Sequence, residues 1–398
     1  MIPRTLTAKL LALAEQYPVV MLTGPRQSGK TTLVRAAFPR WPYVSLEEPD
    51  IRQFALDDPR GFLDNYPEGV ILDEVQRAPM LFSYIQAIVD RQREARFILT
   101  GSSNFLLMER ISQSLAGRTA VLHLLPFSLS ELAQGGFTFE RYETLIFQGQ
   151  YPRLYDRGLA PTDFYPAYIQ TYIERDVRLL KNIGDLDTFV RFVQLCAGRI
   201  GQLLNYTSLA NDAGISPNTA RAWLSVLEAS YIVYRLRPWH RNFNKRLVKS
   251  PKLYFYDTGV ACSLLGIREA SQVSTHYLKG ALFENFVIGE FVKQRFHHGE
   301  RRFPFFWRDK RGREVDCLLV EGEKVLPVEI KAGKTIDSSY FGNLRYWLEL
   351  AGLPENSGLV IYGGDQSLTT RWGKLLSWRA LERIEEVLEW PNTMKSNA

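Results

Sequence analysis

Two groups of residues in this chain have the types and spacing needed for chemistry on phosphates. The first is Gly24-Pro25-Arg26-Gln27-Ser28-Gly29-Lys30-Thr31, which fits the pattern G-x-x-x-x-G-K-[ST] of a phosphate-binding loop. In such a loop, backbone N–H groups and a helix N-terminus face the negative phosphates. Lys30 is placed to reach the outer phosphates, and the Thr31 hydroxyl, followed by Thr32, to join a Mg²⁺ shell. The run Gly69-Val70-Ile71-Leu72-Asp73-Glu74 supplies the matching acids. Asp73 is expected to hold the metal, and Glu74 to orient or deprotonate an attacking water. The second group is Glu284, Asp316, Glu329 and Lys331, three carboxylates and one ammonium in the last third of the chain.

The elements around the loop are those the chemistry requires. Tyr17 to Thr23 reads as a short apolar strand, and Thr31 to Phe38 as a helix that stops before Pro39. An apolar run ending in two carboxylates is how a buried parallel strand delivers acids to its ligand-facing end. Ala95 to Leu99 is a further strand, followed by Thr100, Ser102, Ser103 and Asn104. One of these four is expected to sense the terminal phosphate, and Ser102 is taken forward. The same residues would serve equally as a turn capping the next helix. Arg118 is a candidate for transition-state charge, within its own subunit or toward a neighbour; a plain surface arginine is the alternative.

The second group can be assembled from strand geometry. Glu321-Gly322-Glu323-Lys324 reads as a tight reversal, with Gly322 suited to the first central position of a type II′ turn. Pairing outward from it sets Asp316 opposite Glu329, and period two puts Lys331 on the face of Glu329. Two acids there can share a divalent cation such as Mg²⁺, with Lys331 positioning water and Glu284 adding to the metal shell. Pro327 inside the second strand suggests an edge or a bulge. The alternative is an exposed hairpin with a cross-strand ion pair. Arg301, Arg302, Arg308, Lys310, Arg311 and Arg313 precede Asp316 and could hold a phosphate backbone.

Between the two groups, residues 127–182 are helical in pattern. Leu203 to Gly214, a strand or turn followed by a short helix, then Ser216-Pro217 opening a helix through Trp223 and Leu227, then Tyr231 to Leu236, read as a winged helix-turn-helix. In that fold Asn218, Thr219 and Arg221 would face a DNA groove, although that face is not very basic. The run His240 to Lys249 is the better electrostatic candidate.

The bulk properties bound the rest. A chain of 398 residues is long enough for two or three domains. A formal charge of +6 permits an acidic partner without requiring one. Cys196, Cys262 and Cys317 are scattered, which suits a reducing cytoplasm and offers neither a disulfide framework nor a zinc site. No segment approaches the ~18 consecutive apolar residues of a membrane span, and the N-terminus lacks the regions of a signal peptide.

The Gly24–Thr31 loop, the run ending at Asp73-Glu74, the Leu99 to Ser103 stretch and Leu115-Ala116-Gly117-Arg118 resemble the ATPase domain of a large prokaryotic group related to the AAA+ and STAND ATPases. Members usually continue into a C-terminal domain of unknown function numbered 4143. The resemblance implies ATP as the nucleotide, a loop strand near the centre of its sheet, and homo-oligomers with an arginine acting in trans. The Asp316, Glu329 and Lys331 pattern resembles the D…E-x-K constellation of restriction-endonuclease-like nucleases, which implies metal-dependent cleavage of DNA. The expected architecture is α/β: a P-loop ATPase domain at 1–130, a helical lid or linker at 131–187, a winged helix-turn-helix at 188–240 and a nuclease-like domain at 241–390. The partners to expect are DNA, a further copy of the chain, or a protein for which the C-terminal domain is a non-catalytic recognition module.

Overall fold

The computed structural model describes residues 2–92, 94–102, 115–177, 185–239 and 248–393. Ser103, Asn104 and most of the basic run from His240 lie outside the described residues. Five strands, β1 (Val19–Gly24), β2 (Tyr43–Ser45), β3 (Gly69–Asp73), β4 (Arg96–Ser102) and β5 (Thr119–His123), form a parallel sheet in the order β2-β3-β4-β1-β5. Every residue of β1 and β3 is buried, as expected of parallel strands covered on both faces. One face packs on the helices Pro49–Asp57, Pro59–Asp64 and Leu81–Arg91 through Phe62, Phe82 and Ile85. The other packs on the helices Leu6–Gln16 and Lys30–Ala37 through Leu10, Leu33 and Val34. The sheet thus brings the C-terminal ends of β1, β3 and β4 side by side.

The second sheet is mixed. β6 (Val233–Pro238), β7 (Lys252–Phe255), β8 (Phe305–Arg308), β9 (Glu314–Glu321), β10 (Lys324–Lys331), β11 (Gly358–Tyr362), β12 (Leu368–Thr370) and β13 (Gly373–Ser377) run in the order β12-β13-β11-β10-β9-β8-β6-β7. The β9–β10 reversal has the expected register, from Glu321 facing Lys324 to Cys317 facing Val328. Gly322 has φ +60° and Glu323 is not in the left-handed region, which is the type II′ pattern. β10 is an interior strand, not an edge; Pro327 is tolerated because pairing with β11 begins only at Val328.

The middle of the chain departs from the expected division. Ser216 caps the helix Pro217–Ala229 by accepting from the Thr219 N–H at 3.1 Å, and β6 pairs antiparallel with β7. This resembles a wing, but β6 also pairs with β8, which makes the hairpin part of the C-terminal sheet. Phe189, Leu209, Leu224 and Leu236 share one core with Tyr151 and Tyr165 of the connecting helices and with Phe283 and Val287. Among the described residues, 188–239 thus share their core with the elements on either side. At its centre runs the helix Lys279–His297, buried on all sides from Asn285 onward. Among the described residues, no helix is long and apolar enough to cross a membrane.

Candidate functional site

The phosphate-type loop leaves β1 at Gly24, where a side chain would bring its Cβ to 2.1 Å from the Leu124 carbonyl oxygen. Gly29 takes φ +91° at the cap of the helix that begins with Lys30, a conformation that suits glycine. Ser28 is fully buried, and its hydroxyl has no hydrogen-bond partner among the described residues. Lys30 is buried too and donates to the carbonyls of Pro25 at 2.8 Å and Gly24 at 3.2 Å. Burial lowers its pKa to about 8, against the opposing pull of Glu74 and Asp73.

Strand order then brings the acids to the loop. The Thr31 hydroxyl donates to the Asp73 carboxylate at 2.8 Å, as does the Tyr43 hydroxyl at 2.7 Å, and Thr100 donates to the other oxygen. Glu74 lies just beyond β3 with φ 56° and ψ 43°, a left-handed conformation costing on the order of 1 kcal/mol or more for a residue with a Cβ. Burial raises its carboxyl above the ordinary value, with Lys30 opposing. The Gln76 amide donates to Glu74 and, at 3.1 Å, to the Ser102 hydroxyl.

Not every expected residue converges here. Arg118 precedes β5 and accepts from the Val19 N–H through its carbonyl, at the opposite end of the sheet from Gly24. Its guanidinium pairs with Asp90. At ~3.3 Å per residue, the strand between holds it well out of reach of its own loop. Arg26 stands with its guanidinium 5.8 Å from the Tyr172 ring. Two features escaped the sequence reading. Arg4 donates to the Ser28 carbonyl at 3.4 Å and pairs with the buried Glu131 at 3.3 Å. Beside it, Ile2, Pro3, Gly29, Thr32, Leu33, Phe127, Pro152 and Asp156 line a cavity of ≈ 380 Å³.

The second group also assembles. Asp316 accepts from the Ile330 N–H at 2.8 Å and from Lys331 at 3.3 Å, and Lys331 also contacts Glu329. Burial works against the Asp316 charge, but Lys331 and Lys252 outweigh it and hold the carboxyl low. Burial and the Asp316 charge push Glu329 well above its ordinary value, and one of its oxygens has no hydrogen-bond partner among the described residues. Glu314 was not foreseen: carboxylate oxygens of Glu284, Glu314 and Asp316 lie within 4.8 Å of one another. Nor was Lys252, whose buried ammonium is 2.9 Å from Glu284 and also contacts Glu314. Of the six arginines and lysines before Asp316, Arg308 pairs with Glu314 at 3.0 Å and Arg313 lies 3.9 Å from the Tyr346 ring centre.

The two sites differ in their fit to a divalent cation. At the loop, Thr31 and Asp73 set oxygen donors together beside the orphaned Ser28 hydroxyl, and the residues fit Mg²⁺ with a triphosphate. At the acidic patch, the Lys252 ammonium already occupies the carboxylates, and the residues as arranged do not fit a bare divalent ion.

Three family profiles match in succession: an AAA domain over residues 16–133, a domain of unknown function (DUF8612) over 139–271, and a second (DUF4143) over 279–381. The uncharacterized proteins Rv2008c of Mycobacterium tuberculosis and Mb2031c of Mycobacterium bovis are each 30% identical over 391 residues, covering 92% of this chain and 85% of theirs. The uncharacterized protein MJ1544 of Methanocaldococcus jannaschii is 20% identical over 339 residues, 77% of this chain and 73% of its own. Among solved structures, the Walker-type ATPase PABY2304 of Pyrococcus abyssi aligns at 17% identity and TM-score 0.46, covering 66% of this chain and 96% of that one. With the loop, its acids and the parallel sheet in one arrangement, the chain belongs to the family of AAA-type ATPases that carry a C-terminal DUF4143 domain.

Proposed function

We propose that the protein binds ATP at Gly24–Thr31 and hydrolyses it with Glu74 as the residue that orients or deprotonates water. The observation that carries this reading is the 2.8 Å bond from Thr31 to Asp73, which joins the loop to the acid strand with Lys30 alongside. Thr31 and Asp73 would hold Mg²⁺, which offsets the charge of the triphosphate. The backbone N–H groups from Arg26 to Gly29 would face the phosphates, and Lys30 carries the compensating ammonium. The cavity beside Gly29, Thr32 and Leu33 supports a seat for the base, with apolar walls from Ile2, Pro3 and Pro152 and the Asp156 carboxylate facing an amine. Burial raises the Glu74 carboxyl above its ordinary value, the direction that makes a carboxylate a stronger base.

The test compares ATP binding and phosphate release in wild type, Lys30→Ala and Glu74→Gln. Loss of one charge-assisted contact is expected to weaken binding about tenfold or more in the first. The second is expected to bind ATP normally and turn over about a hundredfold more slowly. A wild-type protein that takes up no ATP in calorimetry sinks the reading.

For the C-terminal domain we favour a recognition module whose contacts answer to nucleotide state, with a protein or a second copy of the chain as partner. The central helix Lys279–His297 supports this, because it reaches the acidic patch through Glu284 and the Arg4–Glu131 pair through His297, 3.5 Å from Glu131. A second reading is binding and metal-dependent cleavage of DNA at Asp316, Glu329 and Lys331. The convergence of those three side chains favours it, and the Lys252 ammonium weighs against it. Incubating the protein with circular and linear DNA, Mg²⁺ and ATP separates the two. Cuts abolished by Asp316→Ala would establish the second reading, and intact DNA the first.

A further inference from the structure

At the patch formed by Glu284, Glu314 and Asp316, the neighbouring cations belong to the chain itself. Glu284, Glu314 and Asp316 crowd their oxygens within 4.8 Å, a density that usually calls for a cation. Three cations of the chain itself meet them. Lys252, on β7, sets its ammonium 2.9 Å from Glu284 and against Glu314. Arg308 takes the other oxygen of Glu314 at 3.0 Å, and Lys331 stands 3.3 Å from Asp316. Lys252 is 3% exposed and Asp316 8%. The Tyr254 hydroxyl also donates to the Glu284 oxygen that Lys252 holds. A buried ammonium keeps its charge where opposite charges surround it, and these carboxylates do so.

We propose that Lys252 is the permanent counter-ion of this patch, standing where a metal-dependent hydrolase would hold a divalent cation, and that the patch takes no such cation while Lys252 is in place. A doubly charged ion entering beside it would meet an ammonium within the same carboxylate shell. Like charges so close in a poorly solvated site repel strongly. The residues of a D…E-x-K pattern are thus present, but locked into an ion-pair network that braces β7, β8 and β9 against the central helix. This inference is independent of ATP hydrolysis at the loop.

The experiment titrates Mn²⁺ into full-length, nucleotide-free protein and reads free ion by electron paramagnetic resonance. It uses wild type, Glu314→Gln, Lys252→Gln and the Lys252→Gln/Glu314→Gln pair. Weak binding at the phosphate loop is common to all four and cancels. Wild type and Glu314→Gln are expected to bind alike, Lys252→Gln to gain one Mn²⁺ per chain, and the pair to lose it. A wild-type ion that Glu314→Gln removes overturns the proposal, as does a folded Lys252→Gln protein with no added ion. Should circular dichroism show Lys252→Gln unfolded, wild type against Glu314→Gln still decides: a difference overturns the proposal, and equality supports it.

Discussion

The side-chain amide of Gln76 stands 3.1 Å from the Ser102 hydroxyl while donating to the Glu74 carboxylate as well. The acid that follows β3 is thereby tied to the end of β4, the strand lying between it and the loop strand β1. Glu74 is in a left-handed conformation between β3 and the short helical turn Val75–Arg77, and the backbone bonds of those elements do not hold its carboxylate. Gln76 does that instead. Gln76→Ala is expected to lower kcat about tenfold with little change in KM, since it loosens a base worth ~10²–10⁴ in rate. Steady-state phosphate release checks this, and a kcat within about twofold of wild type would show that the clamp plays no part.

Lys30 gives a prediction in pH. Its folded value of about 8 lies below that of an unfolded lysine, because burial disfavours the charge. Between about pH 8 and 10 the unfolded chain holds more protons here, so this group's contribution to stability rises with pH. Bound phosphates reverse the preference by favouring the ammonium. ATP binding near pH 8 is therefore expected to take up about half a proton, and almost none at pH 6. Calorimetry in buffers of different ionisation enthalpy measures the uptake. Equal values at both pH settings would mean that Lys30 is fully charged before ATP arrives.

The loop, both carboxylate strands and the β9–β10 register were legible in the sequence because each rests on local spacing. Eight residues define the loop, and a two-residue turn at Gly322-Glu323 sets every pair beyond it. Lys252 and Glu314 were not legible. Lys252 reaches the patch only because β7 joins the sheet through β6 and β8, a pairing that no local pattern announces. Gln76 was not legible either, since its partners are set by Glu74 backbone geometry and by the adjacency of β3 and β4. The winged helix was read from real features, the Ser216 cap and the β6–β7 hairpin. The core that segment shares with the elements on either side cannot be seen from one segment's periodicity.

Arg4 and Glu131 make a prediction about stability. Glu131 is fully buried, accepts from the Thr5 and Ser128 N–H groups, and pairs with Arg4. Burial opposes its charge, but Arg4 and His297 outweigh it and hold its carboxyl below the ordinary value. Its stabilisation is thus present above the unfolded carboxyl pKa and is lost as pH falls through the folded one. Arg4→Met leaves a buried carboxylate without its main partner and is expected to cost about 3–5 kcal/mol. Adding Glu131→Gln should return part of that loss, because the uncompensated charge is gone. Thermal melts of the single and double variants at neutral pH test the pair, and equal melting temperatures would show that no charge penalty is involved.

Arg118 tests whether a single chain holds the whole nucleotide site. Its backbone lies beside Val19, at the start of β1, whereas the loop leaves from Gly24 at the other end. Five residues of extended strand span roughly 16 Å, more than an arginine side chain reaches, and Asp90 already engages the guanidinium. In isolated chains, Arg118→Ala is therefore expected to leave ATP affinity and turnover unchanged. Both quantities should be measured over a range of protein concentration, with mass followed by light scattering. A drop in turnover confined to concentrations at which wild type associates would show that the arginine serves a neighbour's phosphate. A drop in dilute, monomeric protein would contradict the strand geometry itself, since no path within one chain brings Arg118 to its own loop.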